Sequence, residues 1–357
     1  MDYINSITEA IGKTPLLKLN KIGKDVGANI FVKLEHLNPS GSYKDRMALS
    51  MVEAAEKGLT WNGKKLPPNG TVVEASAGNT APALAMVCAA KGYKAKLVLY
   101  RYQIEDPNNS RLLITKAFGP EVSISSEPEK YLTSAQIRVF LEREPDLLHV
   151  LAAKKDCAEM EESDANCVWV DQIYNKYNSL GQMEMGREIY RQLDGEIDAV
   201  GCSVAAGGSL YGVCKGLKEM GSRPELTFGV VPTGSENYMQ LSKDDSMFGE
   251  FKVSDTHVEI AKQMGLAKWV TEKSIVHDMV VDGYPDRFFR ITDEEARTMA
   301  NRLCREEGIY CGMSSGANVA VALKIARLLG PGKNVVTMIV DRRDRYLSEF
   351  PNERYVV

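Results

Sequence analysis

Short runs of apolar and β-branched residues recur along the chain: TVVEA at 71–75, AKLVLY at 95–100, EVSI at 121–124, HVLA at 149–152, DAVGCSV at 198–204, TFGVV at 227–231 and NVVTMIV at 334–340. Between them apolar residues return at three- and four-residue spacing, as in Ala83, Met86, Val87 and Ala90 or in Leu210, Val213 and Leu217. That is the period of a helix with one buried face. Strands that are apolar nearly throughout, alternating with helices, predict parallel sheets covered on both faces. In such folds ligands settle at the carboxyl ends of strands, where glycine-rich turns lead into helices. The most polar interior stretches, EPEKYLTSAQ at 127–136 and AEMEESDAN at 158–166, predict an exposed helical segment and a loop. No internal repeat is visible.

Composition narrows the class. A chain of 357 residues has room for two domains, and 44% hydrophobic with 26% charged residues is the balance of a soluble globular protein. A net charge of −4 gives no general electrostatic reason to seek nucleic acid or anionic lipid. The apolar run Ala81–Ala90 falls well short of the roughly 20 residues that a membrane-spanning helix needs. The opening MDYINSITEAIG shows no basic region followed by an apolar core, so no secretory signal is expected. About ten residues follow YLS (346–348), which leaves no room for an added regulatory domain. Seven scattered cysteines without a C-x-x-C pair read as reduced thiols in a cytoplasmic protein. Four separated histidines without metal-ligand spacing argue against a structural zinc site, and no metal is expected.

Four segments carry candidate chemistry. In PSGSYKDR (39–46), Ser42 followed by Asp45 resembles a capping box and Gly58 a stop, which predicts a helix from about Tyr43 to Lys57 with Lys44 in its first turn. EASAGNTAPALA (74–85) places Ser76, Gly78, Asn79 and Thr80 at a strand-to-helix turn with free N–H groups and short polar side chains. SVAAGGSLYGV (203–213) is again strand, glycine turn and helix, where Gly207 and Gly208 let the backbone curl around an anion and Ser209 adds a hydroxyl. In EGIYCGMSSGANVAVALKIA (307–326), Ser314 and Ser315 precede a strongly periodic helix. Each segment taken alone also fits something ordinary: a solvated lysine, a capping turn, a tight turn without ligand, a pair of N-capping serines.

Taken in this order, the four segments resemble the β-family, or fold type II, of pyridoxal-phosphate enzymes, in its cysteine synthase and cystathionine β-synthase branch. The resemblance runs from ITEAIGKTPLLKLN (7–20) to DRRDRYLSEF (341–350). It implies an α/β fold of two doubly wound domains, tryptophan synthase β-like, with pyridoxal 5'-phosphate in the cleft between them. It implies a smaller mobile domain at 35–165, and a larger one formed by 1–34 with 166–357. Lys44 matches the Schiff-base lysine and Asn79 the asparagine that bonds the cofactor's 3′-oxygen. Ala205, Ala206, Gly207, Gly208 and Ser209 match the phosphate loop, and Ser314 the serine on the pyridine nitrogen. Ser76, Ala77, Gly78, Asn79 and Thr80 match the loop that grips the substrate carboxylate, and Gln172 a glutamine with the same duty.

The implied activity is β-replacement on an activated serine or cysteine-type amino acid, through an aminoacrylate intermediate that takes up a small nucleophile. The alternative is a β-elimination lyase or deaminase acting on cysteine, serine or threonine. A homodimer is the family expectation. The chain also departs from the family pattern. Ala77 replaces a hydroxyl residue, a spelling nearer to threonine and serine dehydratases, and Ala205 and Ala206 stand where cysteine synthases have Gly and Thr. Residues 100–119 lack the usual spelling of the mobile subdomain, and 258–270 replace a short glycine-rich stretch. Arg342 and Arg343 lie near the ring-nitrogen end, as in B-type cysteine synthases.

Overall fold

The structure, a computed structural model, describes residues 3–60, 62–76, 78–100, 110–141, 145–233, 255–266, 274–347 and 350. Its strands are β1 (Leu16–Lys18), β2 (Asn29–Leu34), β3 (Thr71–Ala75), β4 (Lys94–Leu99), β5 (Glu121–Ile124), β6 (Cys167–Trp169), β7 (Ala199–Ser203), β8 (Leu226–Pro232), β9 (Arg287–Ile291) and β10 (Asn334–Ile339). Its helices are α1 (Lys44–Glu56), α2 (Thr80–Lys91), α3 (Ser110–Ala117), α4 (Ser134–Leu141), α5 (Pro145–Ser163), α6 (Tyr177–Gln192), α7 (Gly208–Glu219), α8 (Asp255–Gln263), α9 (Ile275–Val281), α10 (Asp293–Glu307) and α11 (Met313–Leu329).

Two compact units divide these elements. One takes the described residues of Met1–Met47, Asn178–Phe251 and Ile275–Val357, the other those of Ala48–Tyr177 and Lys252–Ser274. This division differs from the 35–165 segment that the resemblance implies, because residues 35–47 bond to the first unit: Tyr43 N–H donates to Val340 O and Arg46 pairs with Glu188.

The first unit holds a six-stranded sheet in the order β1-β2-β10-β7-β8-β9, parallel except for the edge strand β1. Period-2 alternation sends its residues into two cores. Val230, Val335 and Ile339 pack with Ala300 and Val319 of α10 and α11. Val231, Val336 and Met338 pack with Met185, Leu210 and Met279 of α6, α7 and α9. Burial on both faces explains why these strands read as continuous apolar runs.

The second unit holds a four-stranded parallel sheet, β5-β4-β3-β6. Val73, Ala75 and Val98 pack against Leu148 and Leu151 of α5, with Trp169 in the same core.

The expected strand at HVLA (149–152) lies inside α5. Leu148, Leu151 and Ala152 are buried together there, at helical spacing; a four-residue apolar run cannot by itself distinguish the two periods. The acidic 158–166 segment is the last part of α5 and its exit rather than simply a loop, and Glu161 within it is buried. Strands β1, β2, β6 and β9 lie outside the runs expected. All seven cysteines are free thiols, six of them buried. Among the described residues no helix is long and apolar enough to cross a membrane, and no cluster of metal-ligating side chains occurs.

Candidate active site

In the first unit three loops gather at the carboxyl ends of β7 and β10, adjacent parallel strands. The lysine segment is held there by its backbone: Ser42 bridges Asp341, and Tyr43 N–H donates to Val340 O at 3.1 Å. The start of α11 is held by Gly312 N–H donating to Asp341 O at 3.2 Å and by Val340 N–H donating to Ser315 Oγ at 2.9 Å. Asn318 on the same helix accepts from Ser203 N–H at 2.7 Å and donates to Met338 O at 3.1 Å, tying it to both strand ends. Gly312, not Ser314 or Ser315, is the N-cap of α11. The turn after β7 supplies the third loop.

Lys44 is the first residue of α1, which ends one residue short of the expected Lys57, with Gly58 at φ +73° as its stop. The capping box is only half formed. Ser42 Oγ accepts Lys44 N–H at 3.3 Å, but the Asp45 carboxylate turns to Ser40, accepting its N–H at 2.7 Å and its hydroxyl. The Lys44 ammonium lies 4.9 Å from the centre of the Tyr43 ring and makes no hydrogen bond or ion pair among the described residues. Burial without a counter-charge lowers it to about 8; the neighbouring Cys202 thiol opposes this slightly and is itself pushed up to about 12 by burial. A substantial fraction of the amine is therefore an uncharged nucleophile near neutral pH.

Gly207 sits at φ +79°, and a Cβ there would come 2.8 Å from Val276 Cγ2; a Cβ at Gly208 would overlap the Asn178 side chain. The N–H groups of Gly207, Gly208, Ser209 and Leu210 have no acceptor among the described residues, and no side chain caps this helix. Ser209 is buried beside the Tyr43 phenol, whose pKa burial raises, while Ala205 is exposed and Ala206 half-buried. Ser314 is half-buried in the first turn of α11. Arg343 is fully buried and structural: it donates to Cys311 O at 3.0 Å, Asn301 Oδ1 at 2.9 Å and Ala300 O at 2.6 Å, and stacks over Phe350. Arg342 is exposed and pairs with Asp344.

In the second unit Ser76, Gly78, Asn79 and Thr80 follow β3 into α2, as expected; Ala77 lies outside the described residues. Ser76 N–H donates to Val98 O at 3.0 Å, and Gly78 N–H to Ser76 Oγ at 3.2 Å. Asn79 is the N-cap of α2 but makes no side-chain cap bond. Thr80 Oγ1 donates to Gln172 Oε1 at 2.6 Å, and Gln172 Nε2 donates to Ala75 O at 3.3 Å, so residues 92 apart in sequence meet. Glu74, which sequence reasoning passed over, lies fully buried beneath them. Its carboxylate accepts Ala75 N–H at 2.9 Å and Gln172 N–H at 3.0 Å. The signal was present: a glutamate inside the apolar run TVVEA. Tyr43 and Cys202 were passed over too.

A family model described as pyridoxal-phosphate dependent enzyme matches residues 7–341. The chain is 34% identical over 349 residues to cysteine synthase 1 of Emericella nidulans, covering 96% of this chain and 84% of that protein. It is 31% identical to a cysteine synthase of Staphylococcus aureus, covering 97% and 96%. A hydrogen sulfide-producing enzyme from Fusobacterium nucleatum superposes with a TM-score of 0.73 at 29% identity, covering 97% of this chain and 99% of that one. An O-acetylserine dependent cystathionine β-synthase from Helicobacter pylori gives 0.71 at 26% identity, covering 98% of both chains. With matching fold, near-complete coverage and a half-buried, unpaired lysine at the carboxyl ends of the parallel strands, the chain belongs to the pyridoxal-phosphate dependent enzymes of the cysteine synthase type.

Proposed function

We propose that this enzyme performs β-replacement, exchanging the leaving group of an O-acetylserine-like amino acid for a thiol-type nucleophile. The observation that carries the reading is the half-buried Lys44 amine, lowered to about 8 by desolvation without a partner, in a chain related over nearly its whole length to cysteine synthases.

The residues fit pyridoxal 5'-phosphate. Lys44 would hold its aldehyde through the free amine. The unpaired N–H groups of Gly207–Leu210 and the Ser209 hydroxyl would hold its phosphate, on a turn packed so closely on Asn178 that Gly208 has no room for a Cβ. Ser314 would bond the ring nitrogen, and Asn79 the ring's 3′-oxygen. When bound, the cofactor supplies an electron sink that acidifies the Cα proton of an amino acid. The rest falls to this chain. Ser76, Thr80 and Gln172 would hold the substrate carboxylate with hydroxyl, amide and backbone N–H donors. The Lys44 amine, once released, would take the Cα proton. Ser314 is neutral and so would not force a proton onto the ring, which favours expulsion of a β-substituent over transamination. Ala206 contributes no hydroxyl to the phosphate, a loss of roughly 1.5–3 kcal/mol against a charge-assisted bond.

Elimination is the second reading, motivated by the Ser76-Ala77-Gly78-Asn79 spelling and by the sulfide-producing relative. Incubation of the purified holoenzyme with O-acetyl-L-serine, with and without sulfide, separates the two. Replacement requires cysteine to accumulate when sulfide is present. Pyruvate as the sole product under every condition overturns it in favour of elimination. A homodimer in the cytoplasm is the setting we propose, and light scattering of the holoenzyme tests the assembly.

A further inference from the structure

Glu74 is fully buried on β3, and each of its carboxylate oxygens takes one backbone N–H, from Ala75 and from Gln172. Ala75 leads directly into Ser76–Thr80. Gln172 closes the loop by accepting from Thr80 and donating to Ala75 O. A single side chain thus fixes both segments of the carboxylate half-site, although Gln172 lies 98 residues from Glu74.

Its surroundings add a second property. From α5 it faces Lys154 and Cys157, and from the segment after β6 it faces Asp171, with Tyr174 beyond. Across the sheet it has the apolar Leu97 of β4. Lys154 and Asp171 form an ion pair at 3.5 Å and both are buried. Lys154 attracts both Glu74 and Asp171, and Asp171 in turn faces the buried Glu161. Burial first, and the Asp171 charge second, raise Glu74 to about 8 against the pull of Lys154 and the two N–H groups.

We propose that Glu74 is a positioning residue that holds Ser76–Thr80 and Gln172 together as one anion-binding surface and weakens that surface's hold on a carboxylate when it ionises. The proposal rests on the reading of Ser76, Thr80 and Gln172 as the substrate-carboxylate half-site. The sign follows from linkage: a proton on Glu74 and an anion on the half-site each favour the other. Carboxylate affinity therefore falls as pH rises through the Glu74 range. Glutamine at 74 can accept only one of the two N–H groups and must turn its amide NH2 toward the other. Asparagine at 171 suits the left-handed backbone there, at φ +42°, and removes the carboxylate that Glu74 faces.

The test is calorimetric titration of the holoenzyme with propionate, an anion throughout, between about pH 6.5 and 9.5. For the native chain the dissociation constant should rise on the order of fivefold across this range. Glu74→Gln should bind about fivefold more weakly at pH 7 and lose the pH step. Asp171→Asn should keep tight binding but move the step to lower pH. Thr80→Ala and Gln172→Ala serve as separate controls. If neither weakens propionate binding, the half-site reading fails. If they do, yet all of the native, Glu74→Gln and Asp171→Asn chains share one pH profile, the role of Glu74 is overturned. Should Glu74→Gln not fold, the displacement of the step in Asp171→Asn decides alone.

Discussion

Each unit of the molecule buries a cluster of charges, and the two differ in their arithmetic. In the first unit Arg46, two residues beyond Lys44, makes bidentate bonds with Glu35 at 2.7 and 2.8 Å and with Glu188 at 2.9 and 2.8 Å. Lys33 completes it, 2.7 Å from Glu188. Two cations face two carboxylates. Burial pushes Glu188 up, but Arg46 and then Lys33 outweigh it and hold the group at about 2; Glu35 is lowered by Arg46 in the same way. In the second unit one cation faces Glu74 and Asp171, and there burial wins, raising Glu74 to about 8. The two carboxylates thus shift in opposite directions, because Arg46 and Lys33 outweigh the desolvation of Glu188 while Lys154 does not outweigh that of Glu74. The first cluster's two carboxylates stay ionised across ordinary pH and hold Arg46 in the helix that begins at Lys44, while burial lowers Lys33 in spite of its Glu188 contact. The second cluster can take up or lose a proton beneath Ser76–Thr80.

The largest effect expected is chemical. Lys44→Ala should lower turnover by at least about three orders of magnitude, and borohydride reduction, which should label Lys44 alone in the native holoenzyme, should then label nothing. Retained turnover would remove the lysine from the chemistry while leaving the cluster beneath it intact. Next comes the first cluster itself. Arg46→Met leaves two buried carboxylates with Lys33 alone and should cost about 3–5 kcal/mol in urea unfolding. Arg46→Lys keeps the charge but cannot make two bidentate pairs, so its stability should fall between those of Arg46→Met and the native chain. If the lysine and methionine substitutions cost the same, geometry rather than charge balance holds this cluster. Gly208→Ala should follow: its Cβ overlaps Asn178, so the turn must shift and cofactor affinity should drop with a stability loss of about 1–3 kcal/mol. Cofactor titration followed in the visible band checks it.

Neither charge cluster was visible in advance, because the contacts that build them join residues far apart along the chain. Lys44, Gly207, Gly208 and Ser314 stand in local strand-turn-helix spellings whose periodicity marks the carboxyl ends of strands, and the parallel sheets follow from runs such as NVVTMIV. Gln172 was reached only through resemblance, since nothing in WVDQI foretells a bond to Thr80. Arg46 reads as the tail of a lysine motif; its partner Glu188 lies 142 residues away. The misread HVLA shows the converse limit, a local pattern too short to carry its own period.

The pH dependence of stability sets the clusters against each other. Glu188, held below the ordinary carboxylate value near 4.3, contributes stability that is fully present above that value and is lost as pH falls toward about 2. The amount is on the order of 3 kcal/mol. Glu74 has the opposite sign: the folded state keeps a proton that the unfolded chain has released, so stability declines from about pH 4.3 up to about 8 and then levels. Urea unfolding between about pH 3 and 9 should show both limbs. Glu74→Gln should flatten the upper limb without touching the acid one. An upper limb that persists unchanged in this variant would assign the alkaline loss to another group, Asp45 being the alternative, since burial raises it to about 6.

A third cluster separates charge count from burial. Lys333 bonds Asp198 at 2.8 Å and Glu225 at 2.6 Å, so it too sets one cation against two carboxylates. Here solvent reaches all three side chains, at 32%, 24% and 58% exposure. Asp198 is accordingly lowered rather than raised, since its modest burial is outweighed by the Lys333 bond and the Asn334 N–H. If an excess carboxylate mattered by itself, this site would behave like Glu74. Water screening says that it should not. Lys333→Met should therefore move the urea midpoint by about a tenth of what Arg46→Met does, with no new pH limb, and the small shift should shrink further in high salt. A large, salt-resistant loss would mean that the number of charges, not their distance from water, governs these clusters, and the contrast between Glu74 and Glu188 would need another cause.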